Sequence, residues 1–226
     1  MIIRAVQKFS AVDYPGLLCA TVFTPGCNLR CPFCHNGTLV LEDEPDVREE
    51  VVFEFLESRK NKLDAVCLSG GEPLLQKGVE EFLRKVKEMG FKTKLDTNGT
   101  KPQYLKEILS SGVVDYVAMD IKNSPARYAE TVGVKAFSLK PVYESIDIIR
   151  SSGVEYEFRT TVTKTFHNEE SLLEASHMIE GASLWYLQTY RESENVIDKS
   201  VEGYSEEEMK SLCEKLKQTV PFVRLR

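Results

Sequence analysis

Histidine is scarce in this chain: three occur in 226 residues, His35, His167 and His177. None sits in a sequence context that would prepare it as a general base. Long apolar runs are missing too, and nothing approaches the roughly 20 residues that a bilayer span needs. The first residues, Met1 to Gln7, lack the apolar core and cleavage pattern of a secretory leader, so the expectation is a cytoplasmic protein with no membrane partner. Excess basic charge is absent: the net charge is -6 and the sequence pI about 5.3, which argues against a nucleic-acid partner. No linker, low-complexity tract or internal repeat divides the chain. A single domain over residues 1–226 is therefore expected, with a core of about 7–190 and a C-terminal helix and tail over 191–226. The 42% hydrophobic content is enough for one core.

What is present is cysteine, six in all. In a reducing compartment these point to metal or redox chemistry before disulfides. Three fall together at Cys27, Cys31 and Cys34, in Gly-Cys-Asn-Leu-Arg-Cys-Pro-Phe-Cys-His. The spacing C-x3-C-x2-C supplies three thiolates to a four-iron cluster, which ordinarily takes one per iron, and leaves one iron open. A structural zinc site would normally be closed by four ligands. The nearest fourth ligand is His35, and its adjacency to Cys34 makes shared coordination awkward. Cys19 and Cys67 lie in apolar strands and Cys213 in the last helix, where they read as packing residues.

Short β-rich runs alternate with helical patterns, which indicates βα units around a parallel sheet. Strands are expected at Leu18–Thr24, Ala65–Ser69, Lys92–Thr97, Tyr116–Ile121, Tyr156–Val162 and Leu184–Gln188. Helices are expected near Val47–Arg59, Gln76–Met89, Pro102–Ser110, Pro141–Ser152, Glu169–Ile179 and Ser205–Gln218, the last with a Ser205–Glu208 capping box. Six βα units are too few for a closed eight-stranded barrel, so the expected fold is α/β, a partial, open barrel.

Polar motifs fall at the C-terminal ends of these strands, where parallel α/β folds bind ligands. Gly70-Gly71-Glu72-Pro73 reads as a strand-to-helix turn, or as a place where missing side chains let backbone approach a ligand. Asp96-Thr97-Asn98-Gly99 contains the Asn-Gly turn signal. Asp120 ends an apolar strand and needs a partner such as Lys122, a cation or ligand hydroxyls. Arg159 sits similarly on the next strand and would suit a carboxylate or an adenine ring.

In this order the motifs resemble the radical S-adenosylmethionine (SAM) superfamily, in its glycyl-radical-enzyme activating branch. The resemblance extends through Asp13-Tyr14-Pro15-Gly16, Phe23 to Asn28, Cys34-His35-Asn36 and Asp120-Ile121-Lys122. Gln7-Lys8-Phe9-Ser10 and Leu187-Gln188 are most similar to the activating proteins of anaerobic ribonucleoside-triphosphate reductase. Pyruvate formate-lyase activases carry a histidine where this chain has Tyr190, and the chain lacks the cysteine-rich insert of activases with additional clusters.

The resemblance implies that Cys27, Cys31 and Cys34 ligate a single [4Fe–4S] cluster whose open iron binds SAM. It implies that Phe33 and His35 flank the two cofactors and that Gly70, Gly71 and Glu72 hold the amino group of SAM. Asp96 and Asn98 would lie beside it, and Asp120, Lys122 and Arg159 would line its carboxylate and ribose end. A monovalent cation near Asp96 and Asp120 is a further implication. The implied reaction is reductive cleavage of SAM and hydrogen abstraction from a glycine of a partner enzyme, with flavodoxin or ferredoxin as electron donor. A radical SAM enzyme acting on a small deazapurine precursor is the alternative. A non-catalytic zinc or electron-transfer protein is a remote one.

Overall fold

The first strand of the chain, β1 (Ala5–Ser10), runs antiparallel to the next, and every later strand is parallel to its neighbour. The computed structural model describes residues 1–41 and 45–226. After β1 come β2 (Cys19–Thr24), α1 (Gly37–Leu41), α2 (Glu49–Glu57), β3 (Ala65–Gly70), a 3₁₀ turn (Pro73–Leu75) and α3 (Val79–Glu88). Then follow β4 (Lys92–Thr97), α4 (Pro102–Ser110), β5 (Tyr116–Asp120), α5 (Tyr128–Thr131), α6 (Lys140–Ser151) and β6 (Glu155–Val162). The chain finishes with α7 (Glu169–Met178), β7 (Trp185–Thr189), α8 (Glu206–Lys217) and β8 (Val223–Leu225). The strands form one sheet in sequence order, with β1 and β8 at its edges. It is the open, mostly parallel barrel anticipated from the βα pattern.

The six anticipated strands are β2 to β7. The two edge strands escape sequence reading for a physical reason. Ala-Val-Gln-Lys-Phe-Ser has an irregular burial pattern and a register shift between Gln7 and Ser10, and Val-Arg-Leu is too short to show alternation. The expected 76–89 helix starts later, at Val79, because Gly78 adopts φ 82°, outside the helical region. From there Val79, Phe82, Leu83 and Val86 recur at helical spacing and are buried. The last helix begins as expected: the Ser205 hydroxyl accepts from the Glu208 amide at 3.2 Å, and Glu208 accepts from the Ser205 amide at 2.8 Å.

Each strand separates two environments. Val66, Leu68, Leu95, Val117, Met119 and Phe158 belong to the main apolar core. The residues that alternate with them turn to the other face, the barrel interior. That interior holds a small cluster of Tyr14, Cys19, Ala65, Cys67 and Tyr116. It also holds Glu157, fully buried, which accepts from the Tyr116 hydroxyl at 3.1 Å and from both Arg226 terminal nitrogens at 2.9 Å.

The turn after β3 is packed backbone against backbone. A Cβ on Gly71 would lie 1.8 Å from the carbonyl oxygen of Gly26, and one on Gly70 2.3 Å from the backbone of Thr24. The Gly71 amide donates to Thr24 at 2.9 Å and the Glu72 amide to Gly26 at 2.8 Å. The glycines are thus required by the approach of the cysteine-bearing loop, a demand internal to the chain. Glu72 turns away from solvent, and its carboxylate accepts from the Leu74 amide (3.1 Å), the Thr97 hydroxyl (2.9 Å) and the Asn98 amide (2.6 Å). It ties the turn after β3 to the turn after β4.

Two predictions concern this scaffold. Gly71→Ala should destabilise the protein by about 3 kcal/mol, as overpacking does, and lower the iron taken up on anaerobic reconstitution. Urea unfolding and iron analysis read the two effects, and wild-type values for both would refute the packing argument. Burial raises the Glu72 carboxyl from 4.5 to about 7, against the lowering effect of its three donors. The folded chain then holds this proton more tightly than the unfolded one. The contribution to stability is present below pH 4.5 and is lost as pH rises through about 7. Glu72→Gln should remove that loss, which urea unfolding between pH 5 and 8 would show as a flatter profile than wild type.

Candidate functional site

A cavity of about 340 Å³ opens at the C-terminal ends of β2 to β6. Cys27, Cys31, Phe33, Cys34, His35, Gly70, Gly71, Asp96, Asn98, Asp120, Lys122 and Arg159 all line it. Of the residues singled out from sequence, only Glu72 does not. Its carboxylate is committed to the two turns described above, so it supports the wall and is not a contact surface.

The three cysteines lie on an irregular loop after β2, held at several points by distant backbone. Gly26 donates to Leu39 (2.9 Å), Arg30 to Val132 (2.9 Å), Gly37 to Asn195 (3.0 Å) and Asp198 to Pro32 (2.9 Å). The residues at 195–198, assigned from sequence to a separate tail, therefore help hold the loop. Arg30 folds its guanidinium back onto the carbonyls of Cys27 (2.5 Å) and Leu29 (2.8 Å). Asn98 links the next motif to this loop, donating to Asn28 at 3.0 Å.

The sulfur of Cys27 faces two donors, the Leu29 amide at 3.4 Å and the Asn98 side-chain amide at 3.7 Å. Burial pushes all three thiols upward, Cys31 to about 12, while Lys122 acts in the opposite sense on each. Partly dehydrated thiols that share a neighbouring cation, one of them with two donors, fit thiolates that ligate a metal centre. Among the described residues no three His, Cys, Asp or Glu side chains converge closely enough to hold one metal ion. A mononuclear zinc site needs that convergence, whereas a four-iron cluster takes each thiolate on a separate iron. The donor set fits the cluster.

Opposite the cysteines runs a chain of charges on three adjacent strands. Lys94 contacts Asp96 at 2.6 Å, Arg159 contacts Asp96 and Asp120 at 3.2 Å each, and Lys122 contacts Asp120 at 2.9 Å. Ser69 donates to Asp96 at 3.0 Å. Burial alone would raise both carboxyls, but Arg159 and Lys94 hold Asp96 down at about 2, and Lys122 and Arg159 lower Asp120. Burial would likewise lower Lys122 and Arg159, yet their carboxylate partners raise both. The monovalent cation expected at Asp96 and Asp120 is not supported by this arrangement. Lys94, Arg159 and Lys122 already neutralise the pair. Arg159, expected to meet a carboxylate or an adenine ring, donates through Nε to Asp120 and through one terminal nitrogen to Asp96 while still lining the cavity.

Several neighbours were not singled out from sequence. Lys94, fully buried, reads in Lys-Thr-Lys-Leu-Asp-Thr as a solvent-facing residue; its two-residue spacing from Asp96 was the available signal. Asp13, quoted there only within a motif, lines the cavity and accepts from the Thr21 hydroxyl at 2.6 Å. Asn36 donates to the Gly70 carbonyl at 2.9 Å, and His35, lowered by burial, packs on Tyr190 with ring centroids 5.4 Å apart. Cys19, Cys67 and Cys213 are buried away from the cavity, as expected. No helix among the described residues is long and apolar enough to cross a membrane.

Similarity to known proteins points the same way. The family model described as the radical SAM superfamily matches residues 21–179. A Methanocaldococcus jannaschii protein, provisionally named a glycyl-radical enzyme activating enzyme, is 33% identical over 196 residues, 84% of this chain and 80% of its own length. The pyruvate formate-lyase-activating enzyme of Staphylococcus aureus is 37% identical over 54% of this chain and 53% of its own. A 7-carboxy-7-deazaguanine synthase of Thermococcus kodakarensis is 28% identical over 61% of each. Among solved structures, Streptococcus suis SuiB bound to its precursor peptide SuiA superposes with a TM-score of 0.74 at 17% identity. That match covers 91% of this chain and 48% of SuiB, a likeness of fold alone. The chain belongs to the radical SAM superfamily, in its glycyl-radical-enzyme activating branch.

Proposed function

We propose that this chain installs a glycyl radical on a partner enzyme, and that the partner is an anaerobic ribonucleoside-triphosphate reductase. The observation that carries the reading is one cavity lined both by three cysteine thiols, Cys31 buried and Cys27 and Cys34 half-buried, and by the paired charges of Asp96, Asp120, Lys122 and Arg159. Cys27, Cys31 and Cys34 would hold the [4Fe–4S] cluster. Gly70 and Gly71 would present backbone to the SAM ammonium, and Lys122 with Asp120 and Arg159 would meet its carboxylate and ribose. When bound, this cofactor pair supplies one-electron reductive cleavage of SAM and hydrogen-atom abstraction. The protein's own residues would orient SAM and keep Lys122 and Arg159 charged in a partly buried site.

The cavity continues into a second one of about 510 Å³, with Asp13, Arg159 and Gln188 common to both. Its lining includes Val12 and Asp13 just beyond β1, and Leu225 and Arg226 at the β8 edge, so it follows the seam where the barrel fails to close. A seam of that kind suits a glycine-bearing loop of a macromolecule. The choice of reductase rests on the resemblance of Gln7 to Ser10 with Asp13 to Gly16. Flavodoxin or ferredoxin would deliver the electron. The second reading is a small deazapurine precursor as substrate, which the Thermococcus relative favours.

The deciding experiment incubates the anaerobically reconstituted protein with SAM, a reductant and a reductase peptide deuterated at the glycine α-carbon. Deuterium should appear in 5′-deoxyadenosine. Transfer only from a deazapurine precursor would move the assignment to the second reading. Replacement of Cys31 by alanine should abolish stable cluster binding while the apo-protein keeps its circular dichroism spectrum. Cys213→Ala should retain full iron content and SAM cleavage; iron loss there would reveal a ligand on α8.

A further inference from the structure

His167 lies outside the cavity, in the turn after β6, and is 1% exposed. Both ring nitrogens are engaged. Nδ1 accepts from the Thr163 amide at 3.1 Å, so the proton sits on Nε2, which donates to the carbonyl oxygen of Lys122 at 2.8 Å. Burial holds this imidazole well below the usual histidine range, at about 4, so the ring is a neutral donor. The same turn grips the neighbouring residues: Asn123 donates to the Phe166 carbonyl at 2.8 Å, and Thr160 on β6 donates to the Ile121 carbonyl at 2.6 Å. Three consecutive residues after β5 are thereby fixed by β6 and the turn that follows it.

The imidazole has a second neighbour. Phe33, between Cys31 and Cys34, meets the His167 ring edge-on with centroids 6.2 Å apart, and Phe166 at 6.0 Å. One buried ring therefore touches both walls of the site, the residue that carries the ammonium and the aromatic that separates two thiols. Tyr204, in the segment between β7 and α8, secures it from behind by donating to the His167 carbonyl at 2.8 Å.

We infer that His167 is a positioning residue for SAM binding, acting through the backbone of Lys122 and the ring of Phe33. The inference rests on the reading of this cavity as the SAM site. Loss of the Nε2 donor frees the Lys122 carbonyl, which can then re-orient toward other donors and swing the ammonium away from Asp120. Asp120 is shared with Arg159, so the displacement reaches the whole charged wall. A neutral donor is suited to this place, because a permanent cation would add to the three already present. An ordinary core histidine would affect stability alone.

His167→Phe keeps an aromatic ring and loses both hydrogen bonds, whereas His167→Gln can still donate to Lys122. Each is reconstituted anaerobically and assayed for iron content, for SAM affinity by isothermal titration, and for the change that SAM causes in the electron paramagnetic resonance spectrum. Expected for His167→Phe are full iron content and at least tenfold weaker SAM binding; His167→Gln should recover affinity to within threefold of wild type. In a Lys122→Ala background, His167→Phe should weaken binding no further. Unchanged affinity in His167→Phe, or an undiminished effect without Lys122, overturns the inference. If His167→Phe does not fold, His167→Asn, too short to reach the carbonyl, is read against the same expectations. A wild-type protein whose spectrum ignores SAM would instead refute the SAM-site reading itself.

Discussion

The structure depends on a single guanidinium. Arg159 projects from β6 into the barrel and contacts Asp96 of β4 and Asp120 of β5, so three strands share one partly buried charge. Lys94 and Lys122 complete the row. Removing one member would leave a partly buried charge without its partner, a loss smaller than the roughly 3–5 kcal/mol typical of fully buried pairs. An apolar filling could give equal or greater stability, so stability alone does not account for the row. It keeps cationic and anionic groups fixed, charged and partly dehydrated where a zwitterionic ligand would lie.

A second constraint is steric. The turn after β3 lies so close to the cysteine loop that Gly71 has no room for a Cβ. That contact sets the position of Cys27 relative to the sheet, and Glu72 then carries the same alignment to Thr97 and Asn98. Motifs far apart in sequence act as one rigid rim because backbone amides and a buried carboxylate join them directly. The loop is held from its other side by Val132 and by the backbone of Asn195 and Asp198. The C-terminal region is in this sense part of the site's support.

The open seam is the complement of that rigidity. A parallel barrel that ends with a three-residue strand at one edge and a register-shifted strand at the other leaves a gap beside the cavity. The fold provides both a cavity and a second one opening beside it along the unclosed edge, an arrangement that a closed eight-stranded barrel would not allow.

The sequence by itself determined the repeating βα pattern, the six central strands, the capping box of the last helix and the three thiols. These are local properties: periodicity, capping chemistry and short spacing act within a few residues of themselves. It also placed Gly70, Asp96 and Asp120 at strand ends and Arg159 on the neighbouring strand, because parallel strands all point their C-terminal ends the same way. Tertiary structure alone decided the rest. Lys94 became an interior cation only when the sheet curled, since an alternating polar strand looks the same whether its polar face meets water or a barrel lumen. Glu72 turned into the wall because the adjoining turn offered two amides and a hydroxyl. His167 met Lys122 and Phe33 because β5, β6 and the cysteine loop converge in space, a relation no local pattern encodes.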